Sequence, residues 1–341
     1  MAPPRVVVAG AGGRGVGCMS TIAASPNHGV IVAYADPHGP SREKAAAVSP
    51  GARMFEGWRE MLAEVECDVL LVTAPQYVHC EIVLAGLEAG LDIYCEKPMA
   101  HSLEDCNRIV SGVKASDCLF YVGLQLRTVP VLKHMKKLVD SGVVGKPSMM
   151  FARELRAPFL PKVDDWIGDE NKSGGALVEK NCHHFDLFNW YCGSRAVRVN
   201  AIGGKALTAE DGGNVGELLD HAFVLVDYAD GTRACLEMCF FCPAFAHELE
   251  IVGDNGRRLV TDLEQLKLWE ADQETRSFQT WNYELRQAHG DPSGWLDFLD
   301  CRALAPDNAA SLARAEAGRD SVQIALAAQE SIKIGATVTL Q

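Results

Sequence analysis

Residues 5–15, RVVVAGAGGRG, decide the first half of the fold. The apolar run at 5–9 has the length and composition of a short buried strand, and a helix-like run follows the glycines as far as Ser25. A GxGxxG pattern between a strand and a helix is typical of a dinucleotide-binding turn. In that turn the first glycine makes the bend, the second lets backbone approach a pyrophosphate, and the third lets the helix pack on the strand. The phosphates would bind at the helix N-terminus, where free N–H groups favour anions. The residues expected to contribute are Gly10, Gly12, Gly13, Arg14 and Gly15.

An acidic residue stands where such a turn selects its cofactor. The next strand-like run, 30–35, ends at Asp36, where a carboxylate would accept hydrogen bonds from both ribose hydroxyls of an adenosine. A carboxylate there repels a 2′-phosphate, so the sequence favours NAD over NADP, although nearby Arg42 would soften that preference. The alternative is a glycine-rich turn followed by an aspartate that caps a helix.

Strand-like and helix-like runs keep alternating as far as residue 123. Buried strands are expected at 68–73, 91–95 and 118–122, and helices at 58–63, 78–90 and 102–116. Repeated units of this kind form a parallel, doubly wound sheet whose ligands gather at the carboxyl ends of the strands. Lys97 stands at such an end and is therefore a candidate site residue. The neighbouring candidates at this edge are Ala74, Gln76, His79, Glu96 and Gln125.

After Gly123 the pattern becomes that of an antiparallel sheet. A basic-faced helix at 128–140 precedes a series of β-type runs, and an Ala-rich helix follows at 306–334. Two pairs of these runs are each joined by a hairpin turn, at 228–231 and 253–256. The β runs are 147–155, 197–202, 222–228, 232–241, 247–252, 257–263 and a short one at 337–340.

The sequence therefore predicts two domains of different class, α/β followed by α+β. Residues 1–123 would form a Rossmann domain with a doubly wound parallel sheet. Residues 124–341 would form a substrate-binding domain with an open-faced, mostly antiparallel sheet and helices on one face. Because the uncovered face needs a partner, a homodimer or homotetramer through this sheet is expected.

Residues 173–191, SGGALVEKNCHHFDLFNWY, are predicted to form one helix that stops at Gly193. In a helix, Glu179, His183 and Asp186 lie on one face, because they are spaced by four and three residues. Carboxylates one turn before and one turn after an imidazole can fix its tautomer and stabilise its protonated form. The alternative is a half-buried histidine on a packed helix, since ion-pair networks also serve structure.

Composition excludes several classes of protein. The 341 residues are 48% apolar and 23% charged, which is typical of a globular protein. The net charge of −13 argues against binding to nucleic acid or to an anionic membrane surface. No secretory signal and no membrane-spanning run are seen, so a cytoplasmic location is expected. The 12 cysteines are scattered and read as reduced packing thiols, and no metal site is expected at Cys239 and Cys242.

Four stretches together resemble the Gfo/Idh/MocA family of NAD(P)-dependent oxidoreductases, typified by inositol dehydrogenases and glucose–fructose oxidoreductases. They are AGAGGRG at 9–15, TAPQYVHCE at 73–81, YCEKPMA at 94–100 and SGGALVEKNCHHFDLFNW at 173–190. Lesser matches are SGVVGKP at 141–147 and AAQESIKIG near the C-terminus. The stretches occur in the family's order along nearly the full chain.

The resemblance implies roles for individual residues. Lys97 would lie beside the nicotinamide and bind the reacting hydroxyl, and His183 would remove the hydroxyl proton. Glu179 would support His183, although the family usually has an aspartate there. The residues expected to contact the substrate are Lys97, Arg127, Glu154, Trp166, Lys180, His183 and Asp186.

Lys180 and His184 depart from the family's commonest pattern. They would mark a subfamily with its own substrate, or else form an exposed pair on the helix surface. The cations Arg127, Arg153, Arg156 and Lys180 leave open a preference for an acidic sugar.

The resemblance implies an NAD-dependent dehydrogenase acting on a secondary hydroxyl of a cyclic polyol, sugar or sugar derivative. Two alternatives stay open. One is an NAD-dependent glycosidase that oxidises its sugar transiently, eliminates the aglycone and reduces the product again. The other is a non-enzymatic dinucleotide-sensing regulator, which would be expected to lose Lys97 and His183.

Overall fold

The computed structural model describes residues 2–160, 162–208, 210, 216, 218–270, 277–283, 294–304 and 307–340. The chain divides into two units. The first contains Met1–Gln125 and Asp291–Val322, and the second contains Leu126–Gly290 and Gln323–Gln341. The sequence analysis assigned all residues after 123 to the second domain. In the structure, by contrast, Asp291–Val322 packs with the first unit.

The first unit is built on a six-stranded parallel sheet with the order β3-β2-β1-β4-β5-β6. This order is that of a Rossmann fold, as predicted. The short strand β3 was missed by the sequence analysis because three residues carry too little pattern. The strands are β1 Arg5–Ala9, β2 Val30–Ala35, β3 Arg53–Phe55, β4 Val69–Val72, β5 Asp92–Glu96 and β6 Phe120–Gly123. The helices are Gly13–Ala23, Gly39–Val48, Trp58–Glu64, His79–Glu88 and Leu103–Lys114, together with Trp295–Ala303 and the beginning of Asn308–Ile334.

Aromatic packing explains why a late segment belongs to the first unit. Trp295 and Phe298 are fully buried, and their rings lie 6.0 and 5.9 Å from the ring of Tyr94 on β5. Tyr121 on β6 stacks on Tyr94 at 5.3 Å and donates a hydrogen bond of 2.9 Å to Asp297. Burial of these large side chains stabilises the packing of the late segment on β5 and β6, and it depends on residues far apart in sequence.

The second unit is built on a nine-stranded sheet with the order β14-β13-β12-β11-β7-β10-β9-β8-β15. Its pairs are antiparallel except for β7 and β10, which are parallel, so the prediction of a mostly antiparallel sheet is confirmed. Both predicted hairpin turns form, with Gly231 and Gly256 at positive φ. The strands are β7 Pro147–Leu155, β8 Ala196–Gly204, β9 His221–Tyr228, β10 Arg233–Cys239, β11 Ala246–Gly253, β12 Arg258–Thr261, β13 Gln265–Trp269, β14 Phe278–Asn282 and β15 Val338–Thr339.

The helical segments of this unit are Pro130–Asp140, Glu170–Ser173, Leu177–Asn181, Cys182–Cys192 and the end of Asn308–Ile334. The strands β13 and β14 were not predicted. Among the helices that the structure describes, none is long and apolar enough to cross a membrane.

The nine-stranded sheet has one buried and one exposed face. Along β7 and β9 buried and exposed residues alternate, as expected where one face of a sheet packs on a core. Met150, Ala152 and Val224 are buried, whereas Phe223 and Leu225 are 50% and 52% exposed. The predicted open face is therefore present in this unit.

Candidate active site

The glycine-rich turn has the geometry that its sequence predicts. Gly10 has φ +101°, and a Cβ atom there would overlap the backbone of Ala74. A Cβ atom on Gly15 would overlap the carbonyl oxygen of Gly10, so helix Gly13–Ala23 can approach β1 only with glycine at that position. A Cβ atom on Gly12 would meet no atom within 4 Å, which leaves the approach to this helix N-terminus open. The turn therefore fits a dinucleotide.

This contrast predicts opposite results for two alanine substitutions. Gly10→Ala is expected to lower the free energy of unfolding by about 2 kcal/mol or more, because of the clash and the positive φ. Gly12→Ala is expected to leave that free energy within ~1 kcal/mol of wild type but to weaken NAD binding at least about tenfold, because the new methyl group would lie in the pyrophosphate's approach. Urea unfolding and titration of NADH fluorescence measure the two effects. Equal NADH affinity for Gly12→Ala and wild type would contradict this placement of the pyrophosphate.

Asp36 is attached to the glycine-rich turn. One oxygen of its carboxylate accepts a hydrogen bond of 2.8 Å from the backbone N–H of Ala11, and the other accepts one of 2.8 Å from that of His38. Arg42 donates from Nη1 to the carbonyl oxygens of Asp36 and Pro37, at 2.7 and 3.0 Å. Its Nη2 also bonds to Glu56 at 3.0 Å. Arg42 is thus engaged by three acceptors. This argues against the suggestion from the sequence that Arg42 softens the preference for NAD over NADP.

A second hydrogen-bond network joins the glycine-rich turn to the segment of Lys97. Arg14 Nη2 donates to Glu96 Oε1 at 2.6 Å and to Gln125 Oε1 at 2.9 Å. Glu96 is buried and also accepts a hydrogen bond of 3.2 Å from the Tyr94 hydroxyl. Burial opposes the charge of Arg14, but the Glu96 carboxylate outweighs it and raises the pKa of Arg14 well above its ordinary value.

Lys97 lies in the turn that follows this network. Its backbone N–H donates to Glu96 Oε2 at 3.3 Å, its side chain is partly buried, and the peptide bond between Lys97 and Pro98 is cis. Three predicted cofactor-binding residues, Arg14, Glu96 and Gln125, are thereby brought together with the Lys97 turn at one edge of the sheet.

His79 lies between two loops of the predicted cofactor edge. Its ring is only 1% exposed, and Nε2 lies 2.7 Å from the carbonyl oxygen of Ala74. Nδ1 lies 3.1 Å from the carbonyl oxygen of Pro98. The ring therefore links the loop after β4 to the turn that carries Lys97, and its contact with the cofactor stays a prediction. Gln76, 3% exposed, is also buried.

The predicted helix at 173–191 is interrupted at its beginning. A short helix, Glu170–Ser173, ends at Gly174 with φ +72°, and Gly175 follows with φ +90°. A π-helical turn at Leu177–Asn181 then leads into helix Cys182–Cys192, which ends at Gly193 as predicted. Because a π-helix has a wider turn than an α-helix, the regular spacing expected between Glu179 and His183 does not hold there. Such turns are frequently found at functional sites.

The glycine pair is held by the C-terminal helix. Gln329 is 6% exposed and donates from Nε2 to the carbonyl oxygen of Gly174 at 2.8 Å. Its Oε1 occupies the position that a Cβ atom on Gly175 would take. The turn that introduces the π-helix thus depends on a residue more than a hundred positions away, which the sequence pattern could not show.

His183 and Asp186 are both buried, at 3% and 1% exposure. The Asp186 carboxylate accepts two hydrogen bonds from Arg127, of 2.8 Å from Nε and 2.6 Å from Nη2. The Arg127 guanidinium also lies 5.5 Å from the centre of the Trp190 ring. Arg127 is therefore an ion-pair partner of Asp186. The two residues were both predicted to contact the substrate, and in the structure they bind each other.

Glu154, Lys180 and His184 form another group. Glu154 is 1% exposed and pairs with Lys180 Nζ at 3.1 Å. Asn181 Nδ2 lies 3.2 Å from Glu154 Oε2 and 3.3 Å from His184 Nδ1. His184 Nε2 in turn lies 3.2 Å from Nε2 of His247 on β11. The alternative of an exposed Lys180–His184 pair is wrong, because His184 is completely buried. Asn181 and His247 had no signal in the sequence.

The tautomers in this group follow from its acceptors. A carboxylate only accepts, so Asn181 Nδ2 donates to Glu154 and also to His184 Nδ1. His184 then carries its proton on Nε2 and donates it to His247. Burial lowers the pKa of both histidines to about 3, with the Lys180 charge assisting at His184 and the His184 ring at His247. Both rings are therefore neutral near pH 7.

This burial predicts acid sensitivity. A histidine with a lowered folded-state pKa stabilises the protein fully above its unfolded pKa of about 6.5, and the contribution is lost as the pH falls towards 3. Between pH 6 and 4 each histidine is expected to lower the free energy of unfolding by about 1.4 kcal/mol per pH unit. Urea unfolding at pH 7, 6 and 5 measures this slope. His247→Gln, which keeps an acceptor for His184, should have the shallower slope, and an unchanged slope would contradict the prediction.

Trp166 lies in a turn, Val163–Gly168, where Asp164 and Asp165 have φ values of 54° and 44°. Its ring is partly buried. Among the described residues, no group of three His, Cys, Asp or Glu side chains could hold a metal ion.

The described geometry agrees with what comparison of the chain with known proteins finds. Residues 4–124 match the oxidoreductase family with an NAD-binding Rossmann fold, and residues 132–258 match the Gfo/Idh/MocA C-terminal domain. The chain belongs to the Gfo/Idh/MocA family. The family predicted from sequence is thus confirmed, and the first unit of this family member is an NAD-binding Rossmann domain.

Relatives of this Gfo/Idh/MocA protein include a myo-inositol 2-dehydrogenase of Thermotoga maritima. It is 26% identical over 230 residues, which are 67% of this chain and 60% of that protein. A 2,7-anhydro-N-acetylneuraminate hydratase of Mediterraneibacter gnavus is 28% identical over 221 residues, 59% of this chain and 57% of that protein. The chain thus spans less than two thirds of the length of these relatives.

One solved structure covers almost the whole chain. A levoglucosan dehydrogenase in complex with NADH and L-sorbose has a TM-score of 0.82 at 21% identity, covering 99% of this chain and 98% of that one. At this identity the likeness shows the fold alone.

Proposed function

We propose that this protein is an NAD-dependent dehydrogenase that transfers hydride between the nicotinamide and a secondary hydroxyl of a cyclic polyol, sugar or sugar derivative. The observation that carries the proposal is the Arg14–Glu96 bond of 2.6 Å. It joins the turn that fits a pyrophosphate to the turn that carries Lys97, in keeping with the role beside the nicotinamide that the family resemblance implies for this lysine. The names of the dehydrogenase relatives support the same class of substrate.

The proposed mechanism assigns one task to each side chain. NAD supplies the hydride acceptor when it is bound. Lys97, as a positive charge in a partly buried turn, stabilises the alkoxide that develops on the substrate oxygen. His183 accepts the hydroxyl proton, and Glu179, which is partly buried on the preceding π-helical turn, supports the protonated imidazole. Asp186 and Arg127 position the helix that carries His183.

A panel of polyols, free sugars and glycosides tests this proposal. The pure protein is mixed with NAD and each compound, and the absorbance of reduced nicotinamide is followed together with aglycone release. We expect net reduced nicotinamide from at least one free sugar or polyol. Absence of both signals from a protein that binds NADH would exclude the dehydrogenase and favour the dinucleotide-sensing regulator.

A redox-neutral reaction is the second candidate. Its support is the hydratase among the relatives, because the name of that enzyme describes no net oxidation. A glycosidase that oxidises its sugar transiently would use Lys97 and His183 in the same roles during the oxidation. The new carbonyl then acidifies the proton beside it, which makes elimination of the aglycone possible. Aglycone release without net reduced nicotinamide would select this candidate over the first.

We also propose that the protein forms a homodimer or homotetramer through the exposed face of the nine-stranded sheet. Five large apolar side chains on this face are 36% to 67% exposed: Met149, Phe151, Ile202, Phe223 and Leu225. Arg153 is paired there with Glu237 and Glu248, so the face carries both signs of charge. A surface of this kind can pair with a second copy of itself.

Charged substitutions on this face are expected to dissociate the oligomer. Phe223→Lys combined with Leu225→Lys would require burial of two unpaired charges in the interface, so light scattering should report a monomer. Leu304→Lys is the control, because this residue is 81% exposed and belongs to the first unit. A monomeric wild type, or an unchanged mass of the double variant, would contradict the proposed interface.

A further inference from the structure

We propose that Glu154 selects the charge of the substrate: by neutralising Lys180 it makes the protein prefer uncharged sugars over those that bear a carboxylate. Nothing in the sequence pattern assigned this role to Glu154, which was expected to contact the substrate directly. The inference rests on the proposed function and specifies its substrate class.

The four cations that could favour an acidic sugar already have partners in the second unit. Arg127, Arg153 and Lys180 each form an ion pair with a carboxylate, at 2.6, 2.8 and 3.1 Å. The fourth, Arg156, donates to a backbone carbonyl at 3.2 Å and lies 5.7 Å from the centre of the Phe159 ring. A substrate carboxylate would have to compete with these partners for its counter-charge.

Lys180 is the cation best placed to act on specificity. It lies on the π-helical turn, three residues before His183, and its side chain is 25% exposed. Lys180 and His183 were both expected to contact the substrate, so in the proposed site a ligand that reaches His183 comes close to the ammonium group. Glu154, by contrast, is only 1% exposed and acts through Lys180 without reaching the ligand. The pair has no net charge, while the ammonium can still donate hydrogen bonds to hydroxyl groups.

A chain of hydrogen bonds keeps Glu154 in place. Asn181 donates to its Oε2, and His184 and His247 continue the chain to β11. Both imidazoles are buried and hydrogen-bonded to each other, and neither adds a positive charge near pH 7 that would attract an anion. The charge balance of this group therefore depends on Glu154 and Lys180 alone.

The same chain can accommodate glutamine at position 154. If the Asn181 amide turns over, its Oδ1 accepts from the new amide and from His184 Nδ1, and the proton on His247 moves to Nε2. Every bond of the chain is then kept with its direction reversed. Glu154→Gln consequently removes one negative charge with little change of shape, and it leaves the Lys180 charge uncompensated.

The test compares each neutral sugar with its uronate, using D-glucose with D-glucuronate and D-galactose with D-galacturonate. In wild-type protein, kcat/KM for the neutral member is expected to exceed that for the acid by about tenfold or more. Glu154→Gln is expected to shift this ratio towards the acid by about tenfold, mainly through KM for the acid. The double variant Glu154→Gln/Lys180→Gln removes both charges and should restore the wild-type ratio.

Glu66→Gln is the matched control, because it changes net charge equally at an exposed pair with Arg5 in the first unit. It should leave the ratio unchanged. A wild-type preference for the acids, or an equal shift in Glu66→Gln, would overturn the inference while the proposed dehydrogenase stands. The wild-type comparison decides this even where Glu154→Gln does not fold. Turnover of polyols alone would overturn the inference and leave the dehydrogenase standing, whereas no turnover of any polyol or sugar by protein that binds NADH would overturn both.

Discussion

Replacing His183 by alanine is expected to lower kcat by a factor of about 10²–10⁴, the usual cost of losing a general base. In the proposed mechanism this imidazole accepts the hydroxyl proton as hydride is transferred, and water cannot easily replace it because the position is only 3% exposed. The affinity for NADH should stay at the wild-type value, since the hydrogen bonds of the glycine-rich turn to Asp36 and Glu96 lie within the first unit and do not involve His183. Steady-state kinetics and NADH titration measure the two quantities.

Two further measurements separate catalysis from structure at this position. The pH–rate profile of His183→Ala should lose the limb that belongs to the base, which a change in packing alone would not cause. His183→Gln fills more of the buried volume and should be equally slow if the proton transfer matters. Full turnover by either variant would remove His183 from the mechanism. In the redox-neutral alternative, the same loss should appear in aglycone release.

Replacing Arg127 by methionine is expected to lower the free energy of unfolding by about 3–5 kcal/mol. The reason is the Asp186 carboxylate, which is 1% exposed and would stay buried without the two hydrogen bonds from Arg127. Urea unfolding at pH 7 measures the change. Because Asp186 lies on the helix of His183, kcat should fall as well.

Two variants make this prediction specific. Arg59→Met breaks a pair with Glu81 whose members are both exposed, and it should cost no more than about 1 kcal/mol. The double variant Arg127→Met/Asp186→Asn removes the buried charge together with its partner and should recover part of the loss. A loss below ~1 kcal/mol for Arg127→Met would show that the buried pair does not stabilise the unit.

Local pattern was sufficient to identify the parallel sheet of the first unit as a Rossmann fold. The glycine spacing, the acid after the second strand and the alternation of strands and helices all predicted a Rossmann domain, which the structure contains. These features depend on residues close together in sequence, and the backbone geometry of the turn demands glycine at Gly10 and Gly15. The short strand Arg53–Phe55 escaped detection, since three residues have no measurable period.

The candidate site was predicted less completely. Glu96 ends β5 and Lys97 follows it as expected, and the ring of His79 lies between two backbone carbonyl oxygens. The helix of His183 was predicted, whereas its π-helical turn and the contact of Gln329 with the preceding glycine pair were not. A sequence pattern that assumes 3.6 residues per turn cannot register such an insertion.

Local sequence was enough to identify the class of each domain, the family, the dinucleotide-binding turn and the residues proposed for chemistry. The pairing of buried residues became visible only in the folded chain: Asp186 with Arg127, Glu154 with Lys180, and His184 with His247. The packing of residues 291–322 with the first unit likewise needed the structure. Turns and periodicity are properties of neighbouring residues, whereas the partner of a buried charge depends on packing between segments that are far apart in sequence.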